Sequence, residues 1–165
     1  MSLEIHQFPK IAYFYIDTMY DLIHKVHSYW TIFVLITLII AILNSIIGIS
    51  KGREFSTKDL RINLFALIFS LIQFFIGFIK YFISPWYDKW GSLGIINVMK
   101  DEKIRSYLVE HPLINIIAIG LITLGWSIHK RQNISSKKFL RIGLFYTPGL
   151  FLFLSRIPWD SWIKI

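Results

Sequence analysis

The sequence predicts an all-α polytopic membrane protein: a four-transmembrane-helix bundle preceded by an N-terminal amphipathic helix at the membrane interface. Three observations carry that expectation. The chain is 165 residues long, 55% hydrophobic and only 17% charged, a balance that marks membrane proteins rather than soluble domains. It contains four apolar runs close to the roughly 20 residues a helix needs to cross hydrocarbon. Within the second run, Leu60 to Ser84, the residues Asn63, Ala66, Ser70, Gln73, Gly77, Lys80 and Ser84 recur at alternating spacings of three and four. That places them on one side of a helix whose other faces are Ile, Leu, Phe and Tyr. In lipid, the small and polar stripe is the one that must face other helices.

Residues 1–26 form the expected surface element. Phe8, Ile11, Tyr15, Met19, Leu22 and Val26 sit at helical spacing, with Lys10, Asp17, Asp21 and His24 on another face, the pattern of an amphipathic helix in the headgroup layer. Asp17, Asp21 and His24 have metal-ligand spacing, although such a set is more often a wet face. This stretch mixes acids, aromatics and Pro9 without a basic start or a small-residue cleavage site, so no signal peptide is expected. The bundle then occupies residues 27–165, with spans at about 27–49, 60–84, 112–128 and 139–157. The first span presents His27, Trp30, Val34, Thr37, Ala41, Asn44 and Gly48 inward, and the second closes at Ser84-Pro85. The third opens at Pro112, which suits a first helical turn, and presents His111, Asn115, Ala118, Ile122, Gly125 and His129. The fourth contains Pro148, so a kink is expected.

Four spans put both termini on one side, and charge selects the side. The short loops 50–61 and 129–141 carry Lys51, Arg53, Lys58, Arg61, Lys130, Arg131, Lys137, Lys138 and Arg141 against only Glu54 and Asp59. By the positive-inside tendency these loops are cytoplasmic and both termini face outward. The net charge of +8 therefore reads as topology, and no nucleic-acid signature accompanies it.

There is no cysteine, which excludes disulfides, thiolate metal sites, iron–sulfur clusters and thioether-linked haem. No catalytic triad or phosphate loop is present, so an electron carrier or membrane subunit is expected in preference to a stand-alone enzyme. Four helices nevertheless bring a polar group to one layer: His27 and His111 at the starts of the first and third spans, Lys80 and Arg156 near the ends of the second and fourth. A b-type haem would use all four, with two imidazoles as axial ligands and two cations for its propionates. Ala41, Gly77, Ala118 and Gly125 would give the ring space, and Glu110 would orient His111. Gln73 and Asn44, inside the bilayer, suit bonds to neighbouring helices before a quinone, and Gln73, with Ser70, is the place where a quinone carbonyl contact would fall. The plainer reading assigns the histidines to an amphipathic interface position, lets the cations snorkel, and treats the small residues as helix packing.

These residues also carry a resemblance. His27-Ser28-Tyr29-Trp30, Leu64 to Ser70 continuing to Gln73 and Gly77, Glu110-His111-Pro112-Leu113, and Ser155-Arg156-Ile157-Pro158-Trp159 together resemble small four-helix bacterial integral membrane proteins of cytochrome b-like type. The resemblance spans His24 to Trp162. It implies haem in a bacterial inner membrane and electron transfer near quinones, with a larger respiratory or other membrane complex as partner. Two positions depart from it: Leu71 and Trp126 stand where such relatives tend to carry further histidines. That departure supports a competing expectation, a cofactor-free structural or assembly subunit, beside a third, a quinone- or lipid-binding bundle.

Overall fold

The computed structural model describes residues 7–162, with side chains described for these except 7–14, 16, 160 and 161. The side chains of Phe8, Lys10 and Ile11, which formed part of the expected amphipathic pattern, lie outside the described residues. Throughout the described residues the chain is all-helical. Helix α1 spans Gln7–Ser50, α2 Thr57–Ile83, α3 Lys89–Lys100 and α4 Glu102–Arg105. A π-helical turn, Ser106–Glu110, leads into α5, His111–His129. Helix α6 spans Ser135–Ser155 and α7 Trp159–Trp162.

Three stretches are long and apolar enough to cross a membrane: Asp17–Ser50, Thr57–Ile83 and Glu102–His129. The fourth long helix, α6, begins with Lys137, Lys138 and Arg141 in its first turns and packs against both α1 and α5. Helix α2 packs on α1 and α5, so the four long helices close a ring.

Helix α1 differs from expectation at its start. No break separates a surface helix ending at residue 26 from a span beginning at 27; the 44 residues form one helix, about 66 Å long at 1.5 Å per residue. The reason is local: between Tyr20 and Trp30 there is neither glycine nor proline to end it. The third span likewise begins earlier than Pro112. Proline lacks an amide hydrogen and its ring crowds the carbonyl four residues back, here that of Leu108. The backbone answers with one π turn, closed by the His111 amide on the Ser106 carbonyl, and helix continues on both sides. Helix α6 runs through Pro148 without ending.

The interior is built from the small and polar stripes. In α2 the buried residues are Asp59, Asn63, Ala66, Leu67, Ser70 and Gln73, while Phe65, Phe75, Phe78 and Ile79 are exposed on the outside. Val34, Leu38 and Ala41 of α1 meet Ala66, Ala118, Ile122, Ile142 and Tyr146 in the main core. Close approach of α5 and α6 depends on glycine. A Cβ on Gly125 would lie 2.7 Å from Phe145 Cβ, and one on Gly149 would lie 2.9 Å from Ile122 Cγ1. One deep bond crosses between helices where the Tyr146 hydroxyl donates to the main-chain carbonyl of Asn63 at 3.0 Å, while the Asn63 side-chain amide is buried without a partner among the described residues.

The two short basic loops lie together at one end. The Phe55 amide donates to Ser135 Oγ at 3.0 Å, and the Phe55 ring packs on His129 and Phe139. Here Asp59, 2% exposed, is gripped by Arg53 at 2.7 Å and by the Asn44 amide at 2.9 Å. The Arg53 guanidinium is held protonated beyond its ordinary range by that hydrogen-bonded carboxylate. At the opposite end the Trp162 indole donates to the Ser28 carbonyl at 3.1 Å, tying the C-terminal turn to α1.

Replacing Gly125 by Leu is expected to overpack the α5–α6 contact and lower stability by about 1–3 kcal/mol, read as an earlier unfolding midpoint in detergent micelles. An unchanged midpoint would show that α5 and α6 do not approach as closely as Gly125 allows.

Candidate functional site

At the end of the bundle opposite the basic loops, α1, α2, the π turn, α5 and the end of α6 surround a cavity of about 660 Å³, within the size range of small-molecule sites. Its polar groups come from every wall. Helix α1 supplies His24, His27 and Thr31, α2 supplies Gln73 and Lys80, and α5 supplies His111 and Asn115.

His27 and His111 meet across this cavity with ring centroids 6.3 Å apart and planes at 67°. They are separated by about half the chain and stand on α1 and α5, which lie diagonally across the ring of helices. Their surroundings differ. His111 sits in helical backbone directly after the π turn. Its Nδ1–H donates to the carbonyl of Arg156 at 2.6 Å, which leaves Nε2 as the lone-pair nitrogen, and that atom accepts from Asn115 Nδ2 at 3.0 Å. Orientation of one imidazole nitrogen by a backbone carbonyl is the usual support of a metal-binding histidine. His27 Nδ1 is buried without a hydrogen-bond partner among the described residues. Its ring is held against Gly77, where a Cβ would lie 3.0 Å from Cε1.

Gln73 has a more structural place than a quinone contact requires. Its amide donates to Thr31 Oγ1 at 2.6 Å and to the His27 carbonyl at 3.1 Å, with His27 Nε2 3.3 Å away. The Thr31 hydroxyl in turn donates to the same carbonyl at 2.8 Å. Gln73 thus fastens α2 to the turn of α1 that carries His27. Its Oε1 is buried and unpartnered among the described residues.

Several expected placements are corrected. Glu110 does not orient His111: its two carboxylate oxygens take Arg105 Nε and Arg156 Nη1, each at 2.8 Å. Arg156 therefore contributes its main-chain oxygen to the site while its guanidinium is occupied by Glu110. Ala41 and Ala118 lie in the core and Gly125 against α6, none of them on the cavity wall. Ser70 turns back to the Ala66 carbonyl of its own helix. His24 does belong to the cavity and stacks on Tyr20, centroids 6.1 Å apart. Asp21 pairs with Lys25 at 2.7 Å on the exposed face of α1, and no group of three potential metal ligands occurs among the described residues. His129 is buried at the far end, between Phe55 and Trp126.

Two contributors went unassigned in the sequence. Asn115 stands four residues after His111, the spacing that brings helical side chains together, so its role is readable in retrospect. Lys103, whose ammonium lies 5.7 Å over the Trp86 ring, comes from the 85–110 connection, whose path no periodicity reveals. Lys80 lines the cavity half-buried and forms no ion pair among the described residues. With Lys103 it gives the wall two cations outside any ion pair, and no carboxylate lines the cavity among the described residues. The fold and site thus define an all-helical protein with three membrane-length apolar helices and a cationic, histidine-bearing pocket at one end. Compared with family models, curated proteins and solved structures, the chain matches none of them.

Substituting Gln73 with Leu is expected to cost about 1 kcal/mol of stability through loss of the tie to Thr31 and His27, measured by unfolding in micelles. Unchanged stability would mean that the glutamine does not join α2 to α1.

Proposed function

We propose that the protein is a membrane-embedded electron-transfer protein that binds one b-type haem through His27 and His111, at the outer end of a bundle whose four spans are α1, α2, α5 and α6. The reading places it in a bacterial inner membrane, with both termini on the periplasmic side and the turns of α1 before His27 at the outer membrane surface. The single observation that carries it is the meeting of two imidazoles from α1 and α5 at 6.3 Å. Two imidazole nitrogens sharing one metal ion at about 2.0–2.1 Å each put their ring centres roughly 6 Å apart.

The donor set fits the group. The Arg156 carbonyl holds His111 Nδ1 and makes Nε2 the nitrogen that would take the metal, in place of its present bond from Asn115 Nδ2. The unpartnered buried nitrogen of His27 marks a ring whose hydrogen bonding the protein does not complete. Lys80 and Lys103 supply positive charge for carboxylate substituents, and the absence of a lining carboxylate among the described residues removes any competing acid. When bound, haem supplies reversible one-electron transfer. The chain's own part is to hold the two histidines, His27 through the bonds of Gln73 and Thr31 to its main-chain carbonyl and His111 through the Arg156 carbonyl on Nδ1. The apolar walls exclude water, and the uncompensated lysines favour the reduced, less positive state of the centre.

A second reading is supported by the same contacts: Asn115 and Gln73 both place an amide beside an imidazole Nε2, as in a cofactor-free or quinone-binding bundle. The visible spectrum of the purified protein separates the two. The haem reading expects a Soret band with α and β bands on reduction, and loss of the low-spin spectrum in both His27→Ala and His111→Ala. A colourless protein, or low-spin haem retained in either variant, contradicts it. Lys80→Leu is expected to keep the low-spin spectrum and lower the midpoint potential by about tens of millivolts; an unchanged potential would remove Lys80 from the haem environment.

A further inference from the structure

Helix α3 presents Ile95 and Ile96, 69% and 70% exposed, together with Met99 at 43%. These are unusually bare apolar side chains for a connecting element. The same helix is fixed on its other side. Val98 is fully buried against Ile104 and Leu108, with Tyr81, Trp86 and Trp90 around them. Tyr81 belongs to the last turns of α2 and Leu108 immediately precedes α5, so α3 is held at the level where two membrane-length helices end.

That level is aromatic. The Trp90 indole donates to the Tyr81 hydroxyl at 3.0 Å, and Tyr87 packs on Tyr81 and Phe82. Tyrosine and tryptophan concentrate where hydrocarbon meets water. Gly94, at φ +73°, permits a turn within α3 that a side chain would strain, so residues 95–100 take a direction of their own. Their apolar positions 95, 96 and 99 share one side, and the exposed Lys89 and Lys100 bracket the helix. Apolar side chains are also bare on the last turns of α2, where Phe78, Ile79 and Phe82 are exposed.

We propose that α3 is an interfacial anchor whose Ile95, Ile96 and Met99 enter the leaflet at the pocket end, with Lys89 and Lys100 reaching the headgroups. Amphipathic helices of this kind settle about 5–10 Å into the headgroup–acyl boundary. The anchor would steady the lid of chain, residues 84–110, that closes one side of the cavity. It rests on the membrane character of the bundle and is independent of whether haem is bound.

The chain has no cysteine, so single labels are unambiguous. The full-length protein is reconstituted in phosphatidylcholine–phosphatidylglycerol vesicles with a spin label at Ile95→Cys or Ile96→Cys. Phe75→Cys, 62% exposed in α2, serves as the lipid reference and Glu102→Cys as the aqueous one. Labels at 95 and 96 are expected to relax more with oxygen than with a water-soluble nickel chelate, as at 75 and opposite to 102. Greater collision with the nickel chelate would show that α3 projects into water and overturns the proposal. Poor collision with both would show a protein surface or a second copy covering the patch, and overturns it too. A nickel-accessible label at 75 would instead remove the membrane reading itself.

Discussion

A polar side chain on an apolar helix must find its partner on a neighbouring helix or on its own backbone, because hydrocarbon offers none. The architecture depends on this constraint. It turns Ser70 and Gln73 inward and leaves the phenylalanines of α2 on the outside. It makes Gln73 reach for Thr31 and the His27 carbonyl, and so fixes where α1 stands against α2. At the pocket end the same demand draws Asn115 and the Arg156 carbonyl to His111. At the other end it closes Asp59 inside Arg53, Asn44 and Ser56. The two histidines face one another because both helices have their polar seams turned to the same interior.

The seams were legible because periodicity is a local property. The spacings of Asn63, Ala66, Ser70 and Gln73 mark the buried side of α2, and the α5 series Ala118, Ile122, Gly125 and His129 is buried in the same way. His27 and His111 were expected at the starts of two spans, and their rings meet at one end of the bundle. Element ends were less legible. A helix stops where something stops it, and nothing between Tyr20 and Trp30 does, so a change in surface character near residue 26 did not signal a change in structure. At Pro112 the chain absorbs the missing amide in a π turn instead of starting afresh.

Side-chain partnerships were the least legible. Glu110 adjoins His111 in sequence, yet helical geometry points successive side chains about 100° apart, and its carboxylate goes to Arg105 and Arg156. Arg156 was expected to bring its charge to the pocket and brings a carbonyl oxygen there. Small residues were ambiguous for a related reason: Gly77 touches His27, whereas Gly125 admits Phe145 and Tyr146, and composition cannot distinguish a cofactor's neighbour from a helix's. The connection 85–110, with Trp86, Lys103 and the apolar side of α3, has too short a repeat to declare its path.

The resulting account makes one end of the bundle the working end. Imidazoles, unpaired lysine and a carboxylate-free wall gather there, among the described residues, while the basic loops and the Arg53–Asp59 pair secure the other. Its central claim is that both imidazoles serve one iron. Near-infrared magnetic circular dichroism of the purified, oxidised protein tests that most directly, since the charge-transfer band reports the axial pair. The account predicts a bis-imidazole band; a band of any other ligand pair, or no haem signal at all, contradicts it.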